Sequence, residues 1–352
     1  MIAAFREGMG SLVDQWFGRS RAPAQPQLIE DRQGSRVKLV QDAAVGAPLT
    51  GAHASVAMRR FMAHALDANL QDLKVEATEE ELAVLEPAAR VLGDLELQAK
   101  YLPRRPSLLP KLMSAINSDS NSMREMAKII GEDGTLLGGL LKLSNSSFYR
   151  KSGARRIDSL EKAVALVGTD GLRSLAATAL LHPVMTGKRG PYSSFAEAVW
   201  KHGELAAACA ELHAARVERA DAFSARLLVL LLGLASNTVF RIVREHSLSE
   251  ADVRPAAVAK LLDDWVPSTA LRIAESWQLP ADFHSALGFP DGPGLARSVR
   301  FGRLAGALLV LVNNGHMREL SARAIVLADD HRRADIERIW ARLAIRHLNA
   351  AR

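Results

Sequence analysis

Between Leu102 and Leu181, apolar residues recur every three or four positions in short runs, and each run is closed by a residue that stops a helix. Leu108, Leu109, Leu112, Met113 and Ile116 line a first helix. Met126, Ile129 and Ile130 line a second, with Gly131 expected to end it as a left-handed cap. Leu136, Leu137, Leu140, Leu141 and Leu143 follow. Leu172, Leu175, Ala176, Ala179 and Leu180 close the stretch before Pro183. The starts are marked as clearly. Ser122 with Glu125, and Asp158 with Glu161, have the spacing of a capping box, and Asp133 stands ready to cap the third helix. A break is expected at Gly168, with Thr169 or Asp170 restarting the helix. No sustained period-two alternation occurs, so the chain reads as all-α.

The same periodicity extends on both sides. Met58, Phe61, Met62, Ala65, Leu66, Leu70 and Leu73 make one helical face. Thr78 and Glu81 form a further capping box, and Pro87 restarts the helix after it. Downstream, helices are expected over residues 195–217, 222–245, 249–265, 268–278, 281–287, 295–314, 318–330 and 333–349. The chain divides into an amphipathic helix at 1–18, a Pro-broken linker at 19–27 and a mostly helical segment at 28–95. A core domain at 96–300 and C-terminal helices at 301–352 packed on it complete the division. Val37 to Val40 reads as one short strand.

Composition narrows the function classes. The formal net charge of +6 is spread along the chain, and aromatic residues are 5% of it. Single-stranded nucleic-acid platforms interleave aromatics with basic residues, which argues against that class. Cys209 is the only cysteine, so no intrachain disulfide and no thiolate zinc site can form. The apolar run from Leu227 to Ala235 is shorter than the roughly 20 residues that span a bilayer. No signal-peptide pattern is seen at the N-terminus. A cytoplasmic protein without a transmembrane segment is expected.

The ordered motifs of residues 102–181 are Leu102-Pro103, Ser107-Leu108-Leu109-Pro110, Ile129-Ile130-Gly131-Glu132-Asp133-Gly134, Leu140 to Tyr149, Ile157 to Ala163 and Gly171-Leu172-Arg173-Ser174-Leu175. Their order resembles the HDOD domain family, bacterial all-helical modules related to the HD phosphohydrolases. The resemblance implies a helical HD-like bundle that has lost its metal site, here with an additional mostly helical N-terminal segment. One departure is Asp133-Gly134, where the family usually has Asp-Pro.

An HD site needs histidines and a His-Asp pair on separate helices, because imidazole and carboxylate ligands fix the metal that activates water. Trp200-Lys201-His202 matches the family's first-histidine segment. Gly233 and Leu234 stand where the His-Asp pair would fall, and neither has a coordinating side chain. Independently of alignment, none of the ten histidines precedes an aspartate. His202 and His213 are about 16 Å apart along a helix, too far for one metal. The Asp263-Asp264 pair reads as a solvated face. No metal, cofactor or catalytic residue is expected.

The remaining candidates for binding are Asn145 at a helix end, the basic loop residues Arg150, Lys151, Arg155 and Arg156, and His202. The reading is a non-catalytic bacterial regulatory protein that binds a protein partner. The resemblance implies a signal-transduction setting, including circuits linked to cyclic dinucleotides. A nucleic-acid binder using the basic loop and arginine-rich tail, or a residual metal-dependent phosphohydrolase, are the alternatives.

Overall fold

In the computed structural model of the chain, the described residues are 51–73, 77–117, 122–145, 156–181, 192, 194–247, 254–329 and 332–348. The expected helix at 1–18, the linker and the strand at Val37 to Val40 lie outside them.

The described chain is helical with no strand. The first helices are α1 (Gly51–Ala65), α2 (Glu79–Val84), α3 (Glu86–Gly93) and α4 (Leu95–Ala99), with a 3-10 turn at Leu70–Leu73 after α1. The middle set is α5 (Leu109–Asn117), α6 (Ser122–Glu132), α7 (Gly134–Ser144) and α8 (Leu160–Leu181). Then come α9 (Phe195–His213), closed by a π turn (Ala214–Glu218), α10 (Ala222–His246), α11 (Pro255–Ser276) and α12 (Ala281–Gly288). The last are α13 (Leu295–Asn313), α14 (Glu319–Asp329) and α15 (Arg333–His347).

Several local signals act as expected. Thr78 Oγ1 accepts from the Glu81 amide while Glu81 returns to the Thr78 amide, and Asp133 Oδ1 accepts from the Leu136 amide at 2.8 Å. Gly168 breaks α8 with φ 68°. Gly171 completes that bend, since a Cβ there would fall 2.4 Å from Val167 Cβ.

Other signals are corrected. Gly131 does not terminate α6: the helix runs on to Glu132, and the chain turns at Asp133, whose φ −114° and ψ 103° leave Gly131 without a positive φ. The cap of α8 is Ser159, one residue later than read, because the helix begins at Leu160. Ser159 Oγ accepts from the Lys162 amide, while Asp158 instead pairs with Lys162 Nζ at 2.6 Å. The helices expected at 249–265 and 268–278 are one helix, α11, with Pro267 inside it. The proline denies the ladder a donor and costs about 3 kcal/mol. Burial of Leu261, Leu262 and Ile273 on either side contributes about 1.5–3 kcal/mol each, so packing outweighs the break.

Two apolar clusters result. The smaller joins α5 to α8 through Leu112, Met126, Ile130, Leu140, Leu172 and Leu175. The larger contains Phe61 of α1 and Leu66 just after it, Leu85 and Leu92 beside and in α3, α9 to α13, and Trp340 of α15. Leu180 and Trp200 touch both. The helices before residue 96 and after residue 300 therefore share one core with those between. At its centre lies α10. It is long and apolar enough to cross a membrane, unlike the shorter run read from the sequence, but 78% of its apolar window is buried by neighbouring helices.

Candidate functional site

Among the described residues, the helix pair that carries His202 is the most closely packed. Small residues make this approach. A Cβ on Gly302 would lie 2.5 Å from the Ala206 carbonyl oxygen, and one on Gly306 would lie 2.6 Å from Ala206 Cα. Backbone contact between α9 and α13 follows, and His202 is pressed against the backbone of α13. Its Nε2 donates to the Arg303 carbonyl oxygen at 2.9 Å. A carbonyl only accepts, so this contact places the ring proton on Nε2. Phe61 of α1 covers the other side, with ring centroids 4.4 Å apart. Burial holds the imidazole down at about 4, so it is neutral at physiological pH.

α9 meets α10 near the positions where the family pattern would put its ligands. Gly203 faces Leu230, about one helical turn before Gly233 and Leu234. Leu234 is buried in the core, and the Gly233 carbonyl accepts from Asn237 Nδ2 at 3.1 Å. His213, further along α9, bonds Ser298 Oγ through Nδ1 at 3.1 Å and stacks on Phe301, so the two histidines serve separate contacts. Among the described residues, no group of three His, Cys, Asp or Glu side chains could hold a metal ion. Burial pushes the Cys209 thiol up, away from thiolate chemistry.

Arg303, whose carbonyl His202 holds, is itself a half-buried charge that interacts with Asp263. Burial lifts Asp263 of α11 to about 7, and Asp264 adds to it, against the pull of Arg303, Lys260 and Arg59. Burial lowers the Arg303 guanidinium to about 10, opposed by Asp263, so it stays charged. Asp263 and Asp264 are both half-buried, so the pair is not the fully solvated face read from the sequence; Asp264 takes Lys260 Nζ at 2.6 Å on both oxygens. Val266 and Pro267, one turn on from the pair, are core residues.

A second interior charge joins three helices. Arg226 of α10 is 3% exposed and donates through Nε and an Nη to Glu211 Oε2 of α9 at 2.8 and 2.6 Å. The other Nη reaches Thr178 Oγ1 of α8 at 3.1 Å, and Ser174 Oγ donates to Glu211 Oε1 at 2.5 Å. Nearby, burial raises Glu204 to about 7, against Arg226 and Lys201. Arg303, Arg226, Glu211 and Glu204 carried no recognisable motif.

Asn145 is placed as a clamp. It follows α7 at the C-cap, where its Oδ1 accepts from the Ile157 amide at 2.9 Å. Its Nδ2 donates to the carbonyls of Ile157 and Leu141 at 2.6 and 2.8 Å. The side-chain amide thus pins together the two ends of the intervening segment. Arg150, Lys151 and Arg155 lie outside the described residues, and Arg156 is exposed.

The pH dependence of His202 follows from linkage. Its folded value, about 4, lies below the 6.5 of the free side chain. Its contribution is full above 6.5 and is lost as pH falls towards 4, by about 3 kcal/mol. Asp263 and Glu204, raised towards 7, slope the opposite way over the same range. Comparison with His202→Gln isolates the histidine. In urea unfolding, the stability gap between wild type and variant is expected to shrink on going from pH 7 to pH 4.5. A gap that does not change would show that His202 titrates normally.

Helices bundled around two adjoining apolar clusters, with the buried His202 where α9, α13 and α1 meet, define an all-helical HD-like domain. The chain belongs to the HDOD family: the HDOD domain model matches residues 102–292. In solved structures it is similar to an HDOD domain protein of unknown function from Geobacter sulfurreducens, with a TM-score of 0.50. Identity to that protein is 18%, over 78% of this chain and 96% of that one. It is also similar to a Shewanella amazonensis SB2B protein provisionally named a metal-dependent phosphohydrolase. There the TM-score is 0.46 and the identity 15%, over 70% of this chain and all of that one. No curated protein matches.

Proposed function

We propose that this chain is a non-catalytic regulatory protein of a bacterial signal-transduction circuit, working in the cytoplasm by binding a protein partner. The observation that supports it best is the fate of the HD site. On the family resemblance, Gly233 and Leu234 stand where the pair would fall; Leu234 is buried in the core helix α10, and His202 spends its Nε2 proton on the Arg303 carbonyl. A metal-activated water needs at least three such ligands to persist.

The arginines of α15 support the nucleic-acid alternative less well, since Arg338 pairs with Asp335 at 2.5 Å. Phosphate binding would also show a steep loss of affinity with salt.

The test is metal content and hydrolysis. Purified full-length protein incubated with Mn²⁺, Fe²⁺ or Zn²⁺ and desalted is expected to retain well under one equivalent by mass spectrometry. No turnover of bis-p-nitrophenyl phosphate above buffer is expected. Stoichiometric metal together with hydrolysis would overturn the reading. Partner capture belongs with the full chain, because removal of residues before 96 would strip Phe61, Leu66, Leu85 and Leu92 from the core.

A further inference from the structure

Away from His202, α12 and the turn after it line a half-open cavity of about 480 Å³ against the start of α10 and α13. This is the size range of ligand-binding clefts. Its apolar lining comes from Ala286, Phe289, Leu295 and Ala296, and its polar lining from Asp221, Asp282, Ser224 and Ser285. Phe289 is 72% exposed, among the most exposed large apolar side chains of the described residues. It is held on a tight turn, with the Gly292 amide donating to the Phe289 carbonyl at 2.9 Å. A Cβ on Gly292 would come within 3.0 Å of that carbonyl oxygen. An aromatic ring is therefore presented to solvent by a fixed backbone at the cavity wall.

The charge here runs against the rest of the molecule. The chain carries a net +6, yet the cavity is lined by two aspartates and no Lys, Arg or His. Of the bases around it, Arg297 pairs with Glu218 at 3.0 Å and Arg300 with Asp291 at 3.1 Å, while Arg219 is exposed beside the lining residue Ala220 and does not itself line the cleft. The positive end of α10 is met by Asp221 Oδ2, which accepts from the Ser224 amide at 2.6 Å. Glu218 likewise accepts from the Gly294 amide at 2.7 Å, at the start of α13. Asp282 is exposed. An exposed aromatic face beside carboxylates, in a concave apolar setting, matches a cation on an alkyl stem.

We propose that this cavity is the seat of an arginine or lysine side chain presented by a protein partner. The alkyl stem packs on Phe289 and Ala286, and the cationic head meets Asp221 and Asp282. The proposal rests on the protein-binding reading and adds the chemistry of the partner: a basic residue flanked by apolar ones.

The test uses the full chain and two labelled amphipathic peptides of the same apolar pattern, one bearing arginine and the other glutamate, followed by fluorescence anisotropy. The arginine peptide is expected to bind and the glutamate peptide not to. Phe289→Ala and Asp282→Lys are each expected to weaken the arginine peptide by about tenfold. Both side chains are exposed, so unchanged thermal melting verifies the fold. Equal binding of the two peptides, or an arginine affinity untouched by either variant, would sink the cavity as the seat. A native partner that is still captured by both variants would do the same, while leaving the broader protein-binding reading in place.

Discussion

Gly302→Ala is expected to destabilise the protein by about 3 kcal/mol, and Gly302→Ala with Gly306→Ala by more, seen as a fall in the urea midpoint without loss of cooperativity. Helix propensity alone predicts the reverse, a gain of up to about 1 kcal/mol for each Gly→Ala change in a helix interior. The clash decides the sign. The new Cβ at 302 would meet the Ala206 carbonyl oxygen and Ala210 Cβ at 2.5 Å and the Ala210 amide nitrogen at 2.8 Å. Two of these are backbone atoms of a packed helix and cannot turn aside, so α9 and α13 must separate. His202 would then lose its bond to the Arg303 carbonyl. Gly138→Ala in α7 is the control, since a Cβ there meets nothing within 4 Å. If both variants changed stability alike, the close approach of α9 and α13 would be disproved.

Arg226→Met is expected to cost about 3–5 kcal/mol, because it leaves the Glu211 carboxylate inside the protein without its cation. The Ser174 hydroxyl and Thr178 remain, but they cannot neutralise a charge. Arg226→Met with Glu211→Leu is expected to recover most of the loss, since well-packed apolar pairs often match a buried ion pair in stability. A full double-mutant cycle by urea unfolding measures the coupling. Were the single variant to cost under about 1 kcal/mol, the pair would be a solvated contact and not a buried link between α8, α9 and α10.

The caps and faces that were legible share a physical cause: they are local. Thr78 with Glu81, Asp133 ahead of α7, the break at Gly168 and the apolar faces of α1 and α9 each depend on residues within one or two turns. The misread ones were decided from outside. Pro267 reads locally as a helix stop, yet the core on both sides of it keeps α11 continuous. Asp263 and Asp264 look alike as neighbours, but tertiary packing sets Asp263 near Arg303 and raises its carboxyl by burial, while Asp264 is held by Lys260. Gly131 reads as a terminator, but the turn two residues later takes that role.

The sequence by itself determined the helical class, the family resemblance over residues 102–181, and that no histidine of the chain precedes an aspartate. These follow from periodicity, capping chemistry and side-chain identity, which need no partner elsewhere in the chain. Only the tertiary structure decided that α1 closes over His202, that Arg226 and Glu211 meet between α9 and α10, and that Phe289 lines one cleft with Asp221. Those pairings join residues as much as 141 positions apart, from Phe61 to His202. Burial and charge acquire their sign from which helices pack together, and no local pattern encodes that choice.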